Sequence, residues 1–238
     1  MTIRLTQLRT DPQWFPPLES ALSEPDGLLA FGGDLSPSRL KSAYRHGIFP
    51  WFNADDPLLW WSPTVRAVFA PQTLQLNRTL RKEIRRHQLW FSCNLAFSRV
   101  IAACADPRAK QAGTWIQPCI QQAYQQLHQQ GLAHSIEVWQ GQQLVGGLYG
   151  LQIGELFCGE SMFNTIPNTA KIALCLLQHH LAGFTDGWID CQMPNPFLLS
   201  MGATPLHRDD YVVLLNALKD SPVQACRWQP RRLELDSD

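Results

Sequence analysis

Two apolar segments separated by three polar residues set the topology of the second half of this chain. Ser135-Ile136-Glu137-Val138-Trp139 and Gln143-Leu144-Val145-Gly146-Gly147-Leu148-Tyr149-Gly150 flank Gln140-Gly141-Gln142. A glycine-bearing turn between two β-prone runs predicts a hairpin. Ile153 to Cys158 predicts a third strand, and residues 188–192 a further one. Between them, Asn168 to Leu181 places Ala173, Leu174, Leu177 and Leu181 on one helix face. A strand–helix–strand succession closes as a right-handed crossover between parallel strands. Val65 to Phe69 and Leu89 to Phe91 read as earlier strands. Leu95 to Ala105, and Pro118 past Tyr124 and Leu127 to Gly131, read as helices. Pro194 breaks the last strand; a short helix around Leu198-Leu199 and another over Tyr211 to Leu218 follow. The fold class is therefore α/β (α+β), with a mixed β-sheet flanked by helices. The tail, rich in proline and charge, reads as partly loose.

Residues 1–64 have a different texture. Phe15-Pro16-Pro17 and Pro25-Asp26-Gly27, then Gly32-Gly33-Asp34, are turn chemistry around short apolar pieces. Ser36 as N-cap and Pro37 at the first helical position open a helix with Leu40, Ala43 and Tyr44 on its apolar face, ended by Gly47. Ile48-Phe49-Pro50-Trp51-Phe52 and Leu58-Leu59-Trp60-Trp61-Ser62-Pro63 read as aromatic loops. The chain thus divides into a small irregular N-terminal domain, 1–64, and a larger domain, 65–238.

Charge separates partner classes. Twenty Lys+Arg balance twenty Asp+Glu, which disfavours a globally basic nucleic-acid binder and leaves room for a local patch. One such patch is visible. After Asn77, an N-cap residue, Arg78, Arg81, Lys82, Arg85 and Arg86 fall at i, i+3, i+4, i+7 and i+8, a single face of a helix. Leu80 and Ile84 point away from it. A solvated charged face is the ordinary reading of such a helix. Against it, only Glu83 interrupts the positive charge, an arrangement suited to a phosphate backbone. No apolar run reaches ~18 residues, so no membrane-spanning helix is expected. Met1-Thr2-Ile3-Arg4-Leu5-Thr6-Gln7 lacks an apolar signal core. The seven cysteines are odd in number and scattered, with no C-x-x-C pair. Reduced cytoplasmic thiols are expected, with neither a disulfide framework nor a zinc site.

Chemistry concentrates in two stretches. Gly159-Glu160-Ser161-Met162-Phe163 reads as a strand end opening into a polar loop. Trp188-Ile189-Asp190-Cys191-Gln192 is a short apolar run ending in polar side chains. Period-two alternation puts Asp190 and Gln192 on one face, with Ile189 and Cys191 on the other. An acid and an amide at the end of a buried strand are costly unless paired or used. They either bond loop backbone or serve a reaction. Cys191 as a nucleophile is the rival. It faces away from Asp190 with no histidine nearby in sequence, and so reads as a small core residue.

Seven stretches together resemble one family, the leucyl/phenylalanyl-tRNA–protein transferases. They are Leu28-Leu29-Ala30-Phe31-Gly32-Gly33-Asp34-Leu35-Ser36, Gly47-Ile48-Phe49-Pro50-Trp51-Phe52, Trp60-Trp61-Ser62-Pro63, Gly113-Thr114-Trp115-Ile116, His134-Ser135-Ile136-Glu137-Val138-Trp139, Leu156-Phe157-Cys158-Gly159-Glu160-Ser161-Met162-Phe163 and Ile189-Asp190-Cys191-Gln192. The resemblance implies a bacterial cytosolic enzyme that moves Leu, or less well Phe, from Leu-tRNA or Phe-tRNA onto proteins beginning with Arg or Lys, marking them for N-end-rule degradation. It implies a C-terminal domain of the GNAT acetyltransferase kind. Because the ester is already activated, neither cofactor nor metal is expected. The chain is expected to act as a monomer.

The resemblance also distributes roles. Asp190 and Gln192 match positions assigned to catalysis, Asp190 as the polarising or basic group. Glu160 joins them, holding the donor α-amino group or positioning the acceptor. A carboxylate can accept the proton that the attacking nitrogen loses. Leu148, Phe157, Met162, Leu174, Leu177, Leu181 and Ile189 are candidates for the donor side-chain pocket, although sequence alone makes all of them core. Family members often carry Met or Phe where Leu148, Leu177 and Leu181 stand. Trp51 and Trp115 are candidates to enclose the terminal adenosine, with hydroxyl contacts from Tyr44 and Tyr124. The basic helix would grip tRNA phosphates without reading sequence. Asp55, Asp56 and Glu160 are acidic candidates for the acceptor's cation. Three other classes fit the residues less well. An acetyl-CoA enzyme needs an Arg/Gln-x-x-Gly-x-Gly/Ala loop, which Gln143 to Leu148 fails to complete. A non-catalytic RNA-binding module would leave Glu160, Asp190 and Gln192 idle. A cell-wall peptidyltransferase would usually repeat the domain.

Overall fold

Local capping chemistry starts two of the helices where the sequence places them. A computed structural model describes residues 5–106 and 114–235. Gly113 of the fourth matching stretch, most of the loop from Asp106 to Gly113, and Met1 to Arg4 lie outside those residues. In the first part, β1 (Thr6–Gln7), β2 (Leu28–Phe31), α1 (Pro37–Arg45), β3 (Phe49–Pro50) and β4 (Leu59–Trp61) follow in order. Ser36 Oγ accepts from Arg39 N at 3.4 Å at the start of α1. The strands form a four-stranded sheet ordered β1-β2-β4-β3. The aromatic stretches expected as loops therefore include short strands. Trp60 is fully buried in β4, and its Nε1 donates to Gly32 O at 2.9 Å.

The second part runs β5 (Val65–Phe69), α2 (Arg78–His87), β6 (Leu89–Cys93), α3 (Phe97–Ala105), α4 (Pro118–Gln129), β7 (Ala133–Gln140) and β8 (Gln143–Ile153). It continues through β9 (Leu156–Asn164), α5 (Thr169–Ala182), β10 (Trp188–Asp190), α6 (Pro196–Ser200), β11 (Thr204–His207), α7 (Arg208–Leu218) and β12 (Arg231–Leu233). Asn77 Oδ1 caps α2 by accepting from Leu80 N at 3.0 Å. The eight strands are ordered β11-β5-β10-β9-β8-β7-β6-β12. The hairpin closes at Gln140↔Gln143. β9 and β10 are parallel neighbours connected through α5, as the strand–helix–strand reading expected.

Three boundaries differ from the sequence reading. Ile153 ends β8, and Gly154, with φ +59°, turns the chain into β9, which runs on to Asn164. Glu160 to Phe163 are therefore strand, where a loop was expected. Gln192 lies beyond the end of β10 with φ 62°. The tail is fastened down to residue 233: Trp228 is 4% exposed and β12 pairs with β6. Polar, short edge strands carry almost no period-two signal, which hides β11 and β12 from sequence.

Each face of the large sheet carries its own core. α1, α3, α4 and α7 pack against Tyr149, Leu151, Leu156, Cys158 and Phe163, and this cluster continues into the N-terminal sheet. α2, α5 and α6 pack against Phe69, Phe91, Ile136, Val138, Leu148, Phe157 and Ile189. No helix among the described residues is long and apolar enough to cross a membrane.

Candidate active site

A break in one strand ladder creates the site. Tyr149 pairs with Ser161 and Gly150 with Gly159, so Glu160 is one residue too many on β9, a β-bulge. The bulge reverses the strand's facing. Before it, Phe157 packs on the α5 side and Cys158 on the opposite side; after it, Met162 packs on the α5 side and Phe163 opposite. Gly150 permits the close approach, because a Cβ there would lie 2.2 Å from Cys158 O.

The bulge delivers Glu160 to three donors. Its Oε1 accepts from Tyr44 OH at 2.6 Å and from Gln192 Nε2 at 2.7 Å, and its Oε2 accepts from Tyr124 OH at 2.9 Å. The two tyrosine hydroxyls also touch each other at 2.5 Å. Burial pushes the carboxyl up to about 7, against the pull of the tyrosine hydrogen bonds. Burial first, and the Glu160 charge next, keep both phenols neutral well above 10. Tyr44 and Tyr124, expected to touch an adenosine, are fully buried and reach the site through Glu160.

Asp190 has its own partners. It is fully buried at the end of β10 and forms an ion pair with the equally buried Arg66 of β5 through Nη2, with Nε at 3.3 Å. Tyr211 OH adds a donor at 2.9 Å. Arg66 is thereby held charged: its attraction to Asp190 raises its pKa despite burial. The Gln192 backbone N–H donates to Asp190 Oδ1 at 2.9 Å, closing a turn that puts Gln192 into left-handed backbone. The strand therefore ends two residues early, yet Ile189 and Cys191 still pack on the α5 side while Asp190 and Gln192 bond to tyrosines and Glu160 on the other, as alternation implied. Cys191 borders the cleft on the side opposite Asp190, where the sequence suggested core; burial drives its thiol far up, which disfavours a thiolate.

A cleft of about 830 Å³ opens above Glu160. Leu148, Met162, Leu174, Leu177 and Ile189 line one side, while Phe157 and Leu181 lie fully buried behind that wall. Trp51 and Trp115 line the other, Trp51 held edge-on against Trp61 at 5.5 Å. The charged residues lining it, among those described, are Asp55, Asp106 and Glu160, all acidic. Asp56 is used differently: its Oδ2 accepts from Asn53 N at 3.0 Å and from Nδ2 at 2.8 Å.

Sequence reasoning missed Arg66, Tyr211 and Asp106. Arg66 did leave a signal, a charge inside the apolar run Val65-Arg66-Ala67-Val68-Phe69, which requires a buried partner. The basic face exists on α2, outside the cleft lining. Arg78, Lys82, Arg85 and Arg86 are exposed, and Arg81 is half-buried with Nε donating to Leu76 O at 3.1 Å. Glu83 pairs with His87 at 3.2 Å and Arg86 at 4.0 Å.

Comparisons with known proteins agree over nearly the whole chain. Residues 68–216 match the family model described as leucyl/phenylalanyl-tRNA protein transferase, and residues 33–64 match that of its N-terminal domain. A leucyl/phenylalanyl-tRNA–protein transferase of Shewanella sp. (strain ANA-3) is 51% identical over 98% of both chains. The protein of that name from Shewanella halifaxensis is 52% identical over 98% of both. That from Shewanella piezotolerans is 55% identical over 94% of this chain and 95% of its own.

Proposed function

Since the chain belongs to the leucyl/phenylalanyl-tRNA–protein transferase family, we propose that it moves Leu, and less readily Phe, from aminoacyl-tRNA to the α-amino group of proteins beginning with Arg or Lys. The product carries a new N-terminal residue that marks it for N-end-rule degradation. The chain is an aminoacyltransferase. It acts in the cytoplasm, where charged tRNA is found, as a monomer.

The observation that carries this reading is the join between an apolar pocket and a polar floor. Leu148, Met162, Leu174, Leu177 and Ile189 offer a wall for a γ-branched side chain, directly beside Glu160. Such a wall separates side chains differing by a methylene by only ~1–3 kcal/mol, consistent with two accepted donors. Trp51 and Trp115 supply flat faces for the terminal adenosine. Asp55 and Asp106 at the same cleft suit a guanidinium or ammonium side chain on the acceptor. The exposed cations of α2 suit acceptor-stem phosphates.

The reaction is ester aminolysis. The acceptor nitrogen attacks the carbonyl, a C–N bond forms, and the C–O bond to the ribose breaks. One N–H proton leaves and the ribose oxygen gains one. An α-amino group near pKa ~8 is partly neutral without help. Gln192 Nε2 is committed to Glu160, which leaves its amide oxygen as the group we assign to accept an N–H of the attacking amine. That bond orients the nitrogen lone pair. Glu160, when ionised, balances the donor's α-ammonium. The adjacent ribose 2′-hydroxyl is placed to pass the proton to the leaving oxygen. In this reading Asp190, paired to Arg66, acts by holding the Gln192 backbone.

Transfer of labelled Leu from Leu-tRNA to a peptide beginning with Arg, beside the same peptide beginning with Ala, tests the reading. Transfer to the Arg peptide alone, strongly slowed but still measurable in Gln192→Ala with tRNA binding kept, is expected. Turnover of acetyl-CoA with no Leu transfer would overturn it.

A further inference from the structure

We infer that Arg66 and Tyr211 are positioning residues for aminoacyl transfer, fixing Gln192 and Tyr44 against each other so that both meet Glu160. The inference rests on Gln192 facing the reacting amine, as proposed above.

Arg66 connects three separate pieces of chain. Nε and Nη2 donate to the Asp190 carboxylate, Nη1 donates to Gly47 O at 3.1 Å, and Nη2 lies 3.3 Å from Tyr211 OH. Its guanidinium also covers the Phe49 ring at 5.0 Å and the Tyr211 ring at 4.4 Å. A planar fork held on both its edge and its face has little freedom left. Through Asp190 Oδ1 it governs the turn that sets Gln192. Through Gly47 it governs the end of α1, three residues after Tyr44, whose hydroxyl meets the same Glu160 oxygen as Gln192 Nε2. Gly47 and Tyr211 approach closely, since a Cβ added at Gly47 would lie 3.2 Å from the Tyr211 ring. Backbone bonds complete the frame: Cys191 N donates to Ala67 O, and Ala67 N to Gln192 O, both at 2.8 Å. Arg66 thus occupies the strand directly paired to the catalytic turn, with its side chain tied to Asp190, two residues before Gln192, and to Gly47, three residues after Tyr44. Neither Arg66 nor Tyr211 lines the cleft, so each acts through others.

A double-mutant cycle tests this with single-turnover transfer of Leu from Leu-tRNA to an Arg-initiated peptide, at saturating donor. Tyr211→Phe keeps the ring and removes one donor to Asp190. The expected result is a loss in transfer rate of about tenfold with the donor KM unchanged. In a Gln192→Ala background the same substitution is expected to cost less than about twofold, because the residue it positions is gone. Arg66→Lys, verified as folded by circular dichroism, is expected to follow the same pattern. Equal losses in both backgrounds would mean a general structural role and would overturn the inference while leaving the function intact. An unchanged rate in Tyr211→Phe would overturn it too. A Gln192→Ala enzyme with the wild-type rate would sink both this inference and the role given to Gln192.

Discussion

Replacing Glu160 by glutamine should stabilise the protein as the pH rises, while abolishing its activity. The bulge presses this carboxyl among protein atoms, and its pKa climbs from 4.5 to about 7. A raised carboxyl pKa means that the folded chain holds the proton more tightly than the unfolded chain. The stability this group contributes is complete below about 4.5 and is lost as the pH rises through about 7. Each pH unit between those two values is worth about 1.4 kcal/mol, so about 3 kcal/mol would vanish in full burial. Glu160 borders an open cleft, and water there reduces the figure to about 2–3 kcal/mol. Glutamine carries no charge at any of these pH values. Its Oε1 can keep the bonds from Tyr44 and Gln192, and its Nε2 can donate to the Tyr124 hydroxyl oxygen. Urea unfolding of both proteins at pH 5 and pH 8 measures the difference. The advantage of Glu160→Gln over the wild type should grow by about 2–3 kcal/mol between the two. Leu transfer should be lost at both. Parallel stability curves over that range would refute the argument that this site holds a carboxylate against its solvation.

Other perturbations address separate parts of the molecule. Trp228→Ala removes a buried ring stacked on His134 at 4.2 Å and packed on Phe157 at 5.7 Å; a loss of about 3–5 kcal/mol is expected, read as a lower urea midpoint. Reversing Arg78 and Arg85 to glutamate should weaken tRNA binding and flatten its dependence on log salt by about two phosphate contacts. Transfer from a Leu-adenosine donor that lacks the acceptor stem should be unchanged in that protein, and a matching loss with the short donor would place α2 outside tRNA binding. Leu177→Ala enlarges the cleft wall and should shift the Leu-to-Phe ratio of kcat/KM toward Phe by about tenfold, measured with the two charged tRNAs in competition.

What the sequence made legible was local. Ser36 and Asn77 announce their helices because capping needs only neighbouring residues. Val65–Phe69 and the 140–143 turn emerge where expected because a strand run and a tight turn carry their own signals. Resemblance then assembled Glu160, Asp190 and Gln192, and most of the apolar wall, without saying how they meet. Their geometry depends on a single extra residue in β9, and one residue changes neither composition nor hydropathy. Period-two reading fails once, where the extra residue at Glu160 reverses the facing of β9; at β10 it holds for the faces, and only the strand's length is misjudged, because Asp190 captures the Gln192 N–H. Arg66 and Asp190 lie 124 positions apart, so their pairing exists only once β5 and β10 are neighbours. The meeting of Glu160 and Gln192 comes from those departures. A longer β10 would carry Gln192 past Glu160 and leave the buried Asp190 without the turn it closes. The sheet supplies rigidity, and the two irregularities in adjacent parallel strands aim an acid and an amide at one another beside the pocket.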